Sequence, residues 1–132
     1  MVRITTGVHA GGDEFVATGN EDQKFGVSIA GDQALAALQG ILARPELELL
    51  GIHCHIGSHI FDTHGFKLAA HRMVGLLAAI RDEHGIALPE LDLGGGHGSA
   101  YTAADDPMST QDPPHGFRAR GAQECAEPGL PF

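Results

Sequence analysis

Two stretches of this sequence share one form: an apolar run that ends abruptly in polar or glycine residues. The first covers residues 47–58 and reads LELLGIHCHIGS, with His53, His55 and Ser58 near its end. The second covers residues 91–96 and reads LDLGGG. One long helical pattern separates them, and parallel strands joined by a helix present their carboxyl ends at the same edge of a sheet. We therefore expect both ends to contribute to one ligand site.

The order of the elements predicts the fold class. Periodicity and turn signals alternate strand, helix, strand, helix, strand, which is typical of an α/β protein with a parallel sheet and right-handed crossovers. Asp32 is expected to cap the first helix, and Asp62 or Thr63 the second, which Gly85 ends. The predicted strands cover residues 2–6, 47–52 and 90–93, the predicted helices cover residues 33–43 and 65–83, and residues 24–27 form either a strand end or a turn.

Composition narrows the classes of binding partner and the location that we expect for this protein. The 17 Asp and Glu residues exceed the 8 Lys and Arg residues, which gives a formal net charge of −9 at pH 7. This charge argues against nucleic acid or an anionic membrane as a partner. No apolar run is long enough to span a bilayer, and the first residues lack the pattern of a signal peptide. The two cysteines, Cys54 and Cys125, form no disulfide framework, so we expect a cytoplasmic protein.

The character of the chain changes after Tyr101. Proline, glycine and charged residues become frequent there, and no helical or strand period persists. We expect residues 1–104 to form the folded domain and residues 105–132 to form an irregular tail.

The triple glycine, Gly94, Gly95 and Gly96, has two interpretations. Without Cβ atoms, successive backbone N–H groups can approach an anion such as a phosphate closely. For an isolated triple glycine, a tight turn with no ligand is the favoured interpretation.

The two histidines have three interpretations. Strand alternation places His53 and His55 on one face and Cys54 on the other, where it is expected to be a small core residue. The histidines could bind a metal ion such as zinc, with His59 or His64 as further ligands. Alternatively, an imidazole could stack on a ligand ring while the neighbouring serine donates to a phosphate. They could also be hydrogen-bonded core residues.

Taken together, the motifs resemble the diaminopimelate decarboxylase family, which belongs to the alanine-racemase-like (fold-type III) pyridoxal-phosphate enzymes. The resemblance covers residues 3–107 and depends on the order and spacing of its motifs. These are Thr18-Gly19, Lys24-Phe25-Gly26, the IHCHIGS run at residues 52–58, the LDLGGG run at residues 91–96, and Tyr101.

The resemblance implies a fold, a cofactor and a reaction. The fold would be a partial (β/α)₈ barrel of about three βα units, with residues 1–104 as a partial pyridoxal-phosphate-binding domain. His55 would stack on the pyridoxal ring, Ser58 would bond its phosphate, and Gly94, Gly95 and Gly96 would offer backbone N–H groups to the same phosphate. The family reaction removes carbon dioxide from meso-diaminopimelate to give L-lysine, so the implied substrate is a small-molecule amino acid. The parent enzymes are expected to be homodimers.

Several departures bear on activity. The family's Schiff-base lysine lies in a Tyr-x-x-Lys-type motif upstream of where this chain begins, and neither Lys24 nor Lys67 matches it, so no catalytic residue is assigned here. Glu127-Pro128-Gly129 echoes a later family motif, but Leu130 replaces its arginine, and we interpret the echo as coincidence. We expect a fragment without the family's β domain, inactive alone and marginally stable or associating. The alternatives are a metal-dependent hydrolase using His53 and His55, or a non-catalytic remnant that binds pyridoxal phosphate.

Overall fold

Four short parallel strands form the sheet of this protein. A computed structural model describes residues 1–8, 25–58, 60, 64–96 and 126. The strands are β1 (Val2–Thr5), β2 (Val27–Ser28), β3 (Gly51–His53) and β4 (Glu90–Asp92), and their spatial order is β2-β1-β3-β4. Every neighbouring pair is parallel, as predicted for the strands that now form β1, β3 and β4.

In the described part of the chain, one α-helix connects β2 to β3 and a second connects β3 to β4. A 3₁₀ turn (Ala30–Asp32) leads directly into α1 (Gln33–Leu42), and α2 (His64–His84) connects β3 to β4. Gly85 follows α2 with a φ of +68°, and its N–H donates to the carbonyl of Arg81 over 2.7 Å, which confirms the predicted helix end. No helix within the described ranges is long and apolar enough to cross a bilayer.

The core lies between the helices and one face of the sheet. The stripe predicted along α2 is buried there, because its residues recur at helical spacing. In the sheet, Ile52 is fully buried and stands in register between Val2 and Leu91, which both pack against the core. The predicted stripe, all of it buried, consists of Phe66, Ala69, Ala70, Met73, Leu77 and Ile80.

The opposite face of the sheet is polar. Arg3, His53 and Asp92 occupy one row across β1, β3 and β4, since Arg3 pairs with His53 and His53 pairs with Asp92. Residues in register on neighbouring strands project to the same side, so this row lies on the face away from the helices. The sheet therefore separates an apolar core from a charged surface.

The prediction that residues 47–52 form a strand was wrong for most of its length. Strand β3 begins only at Gly51, because the chain turns after α1 and the N–H of Leu47 donates to the carbonyl of Arg44 over 3.0 Å. Leu47 and Leu50 are 54% and 40% exposed. The apolar run is thus partly a surface segment that leads into the sheet. Its hydrophobicity alone did not distinguish a surface segment from a buried strand.

The predicted cap of α1 was also wrong in its mechanism. Asp32 does occupy the position before the helix, but its side chain makes no capping hydrogen bond. Its backbone is left-handed, with a φ of +59°, because it ends the preceding 3₁₀ turn. The predicted caps Asp62 and Thr63, and the tail 105–132 apart from Ala126, lie outside the described residues.

Candidate active site

The loops that follow β3 and β4 touch each other at the carboxyl edge of the sheet. The N–H of Ile60 donates to the carbonyl of Gly96 over 2.9 Å, and a Cβ placed on Gly96 would lie 1.8 Å from the carbonyl oxygen of Gly57. No side chain fits in that space. The triple glycine therefore lets the two loops come into direct backbone contact.

Each loop residue predicted to bind a ligand adjoins a glycine of the other loop. A Cβ on Gly94 would lie 3.0 Å from His55 Nδ1, and a Cβ on Gly96 would lie 3.3 Å from the Cα of Ser58. Gly95 differs, because a Cβ there would meet no atom within 4 Å among the described residues. The loops thus bring together the imidazole, the hydroxyl-bearing residue and an open stretch of backbone.

Backbone conformation explains why glycine is needed at two of the three positions. Gly94 and Gly96 have φ values of +72° and +105°, in the region that side chains disfavour. The N–H of Gly94 donates to Asp92 Oδ1 over 2.7 Å. Among the described residues, the N–H groups of Gly95 and Gly96 have no hydrogen-bond partner. These two N–H groups are the ones left to meet a ligand.

The imidazole of His55 is half-buried in a mixed electrostatic environment. Burial lowers its pKa below 6.5, the positive Arg3 and the neighbouring His53 lower it further, and Asp92 opposes them. This shift favours the neutral form of the ring. A neutral imidazole can lie against an aromatic ligand without placing a second charge beside it.

Cys54 lies on the other side of β3, as the alternation predicted. Its side chain is buried in the core, and its N–H donates to the carbonyl of Asp92 over 2.8 Å. Burial, the largest cause, and the negative Asp92 raise the pKa of the thiol to about 12. The prediction of a small core residue is confirmed, and the thiol is not a nucleophile at neutral pH.

Comparison with known proteins decides the family. A family model described as "Pyridoxal-dependent decarboxylase, pyridoxal binding domain" matches residues 1–128. The chain belongs to this pyridoxal-dependent decarboxylase family. The match extends past residue 107, where the resemblance described above ends, into the tail.

Similar proteins are named diaminopimelate decarboxylase. The one from Corynebacterium efficiens is 45% identical over 130 residues, which are 98% of this chain and 28% of that protein. The one from Mycobacterium tuberculosis (strain H37Rv) is 49% identical over 111 residues, covering 81% of this chain and 25% of that protein. The chain thus spans little more than a quarter of these curated relatives.

A solved structure confirms the fold class. The crystal structure of diaminopimelate decarboxylase from Helicobacter pylori complexed with L-lysine covers 90% of this chain at 26% identity, with a TM-score of 0.78, and 29% of that chain is matched. The prediction of an α/β fold that is part of a (β/α)₈ barrel is confirmed. Pyridoxal phosphate is the cofactor of the family, as predicted.

The strand-end loops have the features that a phosphorylated cofactor requires. Among the described residues, Gly95 leaves open space beside its own N–H and that of Gly96, and a methyl group at that position would occupy this space. Phosphate groups bind well where several backbone N–H groups converge and no Cβ blocks their approach. Within the described ranges no group of three His, Cys, Asp or Glu side chains could hold a metal ion, and the candidate ligand His59 lies outside those ranges.

Two residues near the site were not identified from the sequence. Arg3 stacks its guanidinium 5.0 Å from the centroid of the Phe25 ring, and the hydroxyl of Thr5 donates to the carbonyl of Phe25. Asp92 lies at the end of β4, with Oδ2 4.0 Å from His53 Nε2. The available signal was that Arg3 and Asp92 are charged residues within otherwise β-branched or apolar runs. That Arg3 and Asp92 lie in one row across the sheet with His53 follows only from the strand register.

Proposed function

We propose that His55, Ser58 and the loop Gly94–Gly95–Gly96 hold pyridoxal phosphate at the carboxyl edge of the sheet. The observation that carries the proposal is the direct contact between the two loops, through the Ile60 N–H and the Gly96 carbonyl. That contact places the residues of one loop beside the glycines of the other. Carboxyl ends of parallel strands are also the usual place for ligands in barrels and open α/β sheets.

The phosphate would bind between the two loops. The N–H groups of Gly95 and Gly96 would donate to its oxygens, and the hydroxyl of Ser58, next to Gly96, would donate a further hydrogen bond. Gly94 would have a different role from Gly95 and Gly96, since its N–H already donates to Asp92. Its lack of a side chain allows the glycine loop to lie against His55.

The pyridoxal ring would lie against the imidazole of His55. This side chain is half-buried, and its neutral form is favoured because burial and the positive Arg3 lower its pKa. A neutral, partly desolvated ring suits stacking on another flat ring. When bound, pyridoxal phosphate supplies a conjugated system that takes up the electron pair left behind as a carboxylate departs as carbon dioxide.

The reaction proposed for the whole protein is decarboxylation of meso-diaminopimelate to L-lysine. It is supported by the names of the relatives and by identities of 45% and 49% over most of this chain. A small amino acid as substrate, a homodimeric parent enzyme and a cytoplasmic location belong to the same proposal. Since this chain matches about a quarter of its relatives, the reaction is best tested within a complete enzyme.

The test is a chimera. Residues 1–132 of this protein replace the matching segment of the Corynebacterium efficiens enzyme, and carbon dioxide release from meso-diaminopimelate is measured with added pyridoxal phosphate. We expect an active chimera. In it, His55→Ala and Ser58→Ala should each lower kcat/KM by about tenfold or more, which corresponds to about 1.4 kcal/mol or more of lost transition-state stabilisation.

The matched control is Lys67→Ala, which removes an exposed side chain on α2. It should leave kcat/KM unchanged. A folded chimera that binds the cofactor without releasing carbon dioxide would favour the non-catalytic alternative. Equal losses in His55→Ala and Lys67→Ala would contradict the assignment of the site.

A further inference from the structure

Asp92 makes three contacts that join the two strand ends. Its carbonyl accepts the N–H of Cys54 over 2.8 Å, and its Oδ1 accepts the N–H of Gly94 over 2.7 Å. Its other carboxylate oxygen, Oδ2, lies 4.0 Å from His53 Nε2. One residue therefore bonds to Cys54, directly after β3, through its carbonyl and to the glycine loop through Oδ1, while its Oδ2 faces His53 of β3.

The Oδ1 contact fixes the direction in which the chain leaves β4. A carboxylate that accepts the N–H two residues later closes a short turn, and the residue that donates here, Gly94, has a φ of +72°. In this conformation Gly94 lies against His55, with its Cβ position 3.0 Å from Nδ1. The turn that Asp92 closes and the close approach to the imidazole therefore occur at the same residue, Gly94.

We infer that Asp92 is a positioning residue, whose carboxylate holds the glycine loop against His55 so that the N–H groups of Gly95 and Gly96 face a phosphate. The inference rests on the proposed function. Asp92 is suited to this role because its half-exposed side chain already accepts the N–H of Gly94 over 2.7 Å through Oδ1.

The charged groups around His55 support the same role. Arg3 on β1 and His53 on β3 lower the pKa of His55, and Asp92 on β4 is the group that raises it. The carboxylate thus acts on the imidazole electrostatically as well as through the loop. Removing its charge should move the pKa of His55 further down, whether or not the hydrogen bond to Gly94 survives.

Two substitutions separate the hydrogen bond from the charge. Asp92→Asn keeps an Oδ1 that can accept the N–H of Gly94 but loses the charge, whereas Asp92→Ala loses both. The ligand is pyridoxine 5′-phosphate, which lacks the aldehyde and cannot bond covalently to lysine. The readouts are the dissociation constant, the exchange rate of the Gly94 amide proton and the pKa of His55, all measured by NMR on the 132-residue chain.

We expect Asp92→Ala to weaken binding and to speed Gly94 exchange by about tenfold each, equivalent to about 1.4 kcal/mol. Asp92→Asn should stay within about twofold of the wild type in its dissociation constant and in Gly94 exchange. The pKa of His55 should fall in Asp92→Asn and in Asp92→Ala. The control Glu90→Gln removes the other carboxylate of β4, which is exposed and whose side chain bonds to neither loop; it should change none of the readouts.

The inference is overturned if Asp92→Ala binds and exchanges like the wild type, or if Asp92→Asn is impaired as much as Asp92→Ala. If Asp92→Ala does not fold, a through-bond scalar coupling between the Gly94 amide and the Asp92 carboxylate in the wild type decides instead, and its absence overturns the inference. Failure of the proposed function is distinguishable. In that case the wild type itself does not bind the phosphate, yet Gly94 exchange still responds to the substitutions.

Discussion

Replacing Gly96 by alanine should separate the two loops of the site. The new Cβ would lie 1.8 Å from the carbonyl oxygen of Gly57, a distance that no non-bonded contact allows, at a backbone φ of +105°. A side chain in left-handed backbone costs about 1–2 kcal/mol, and overpacking costs about 1–3 kcal/mol. Relief of the clash also breaks the Ile60 to Gly96 hydrogen bond, worth about 0.5–1.5 kcal/mol.

These costs predict a loss of about 3–6 kcal/mol in the free energy of unfolding. Urea denaturation followed by circular dichroism measures it, and with a slope of about 2 kcal/mol per molar the midpoint should fall by about 2 M. The matched control is Gly95→Ala, where a Cβ meets nothing within 4 Å and φ is not positive. It should change stability by less than about 0.5 kcal/mol. Equal midpoints for the two variants would refute the contact between the loops.

Three further predictions concern stability and ionisation. Gly40→Ala, within α1 and with nothing within 4 Å of the new Cβ, should raise the free energy of unfolding by about 0.5–1 kcal/mol, measured by the same denaturation. In a Cys125→Ser variant, Cys54 should react with a thiol reagent at pH 8 only after urea is added, because burial raises its pKa to about 12; rapid reaction without urea would contradict this. We expect His55 to have a pKa below 6.5 in the folded chain. As the pH falls through 6.5, the unfolded chain therefore takes up the proton first, and the free energy of unfolding decreases. An NMR titration that gives a pKa above 6.5 for His55 would count against the assigned environment.

Local patterns predicted the faces of β3 correctly. Alternation alone placed Cys54 on the core side and His53 with His55 on the other side, because successive strand residues must point in opposite directions. The stripe on α2 followed from helical periodicity for the same geometric reason. Such inferences need no knowledge of what lies across the sheet.

What could not be predicted depends on partners distant in the sequence. Strand β2 adds to the far side of β1 through two residue pairs, Ile4 with Val27 and Thr5 with Ser28, and so short a strand has no periodicity of its own. The late start of β3 depends on where Glu90 offers its N–H to the carbonyl of Leu50. These features are set by register and turn geometry, which the apolar pattern does not encode.

The proximity of the two loops was predictable from the sequence, and their internal arrangement was not. The five residues taken from the family resemblance do lie together, since both loops leave neighbouring parallel strands. The resemblance assigned the N–H of Gly94 to the phosphate, whereas here it donates to Asp92. That contact depends on a side-chain rotamer at the end of β4, which no sequence pattern indicated.

The most direct test of the central claim is an NMR titration of the uniformly ¹⁵N-labelled chain with pyridoxine 5′-phosphate, followed by the same titration with unphosphorylated pyridoxine. A phosphate site between the two loops predicts that the largest amide shift changes fall on Ser58, Gly95 and Gly96, and that they vanish when the phosphate is absent. Shift changes elsewhere in the chain, none at all, or the same changes with both ligands would contradict the claim.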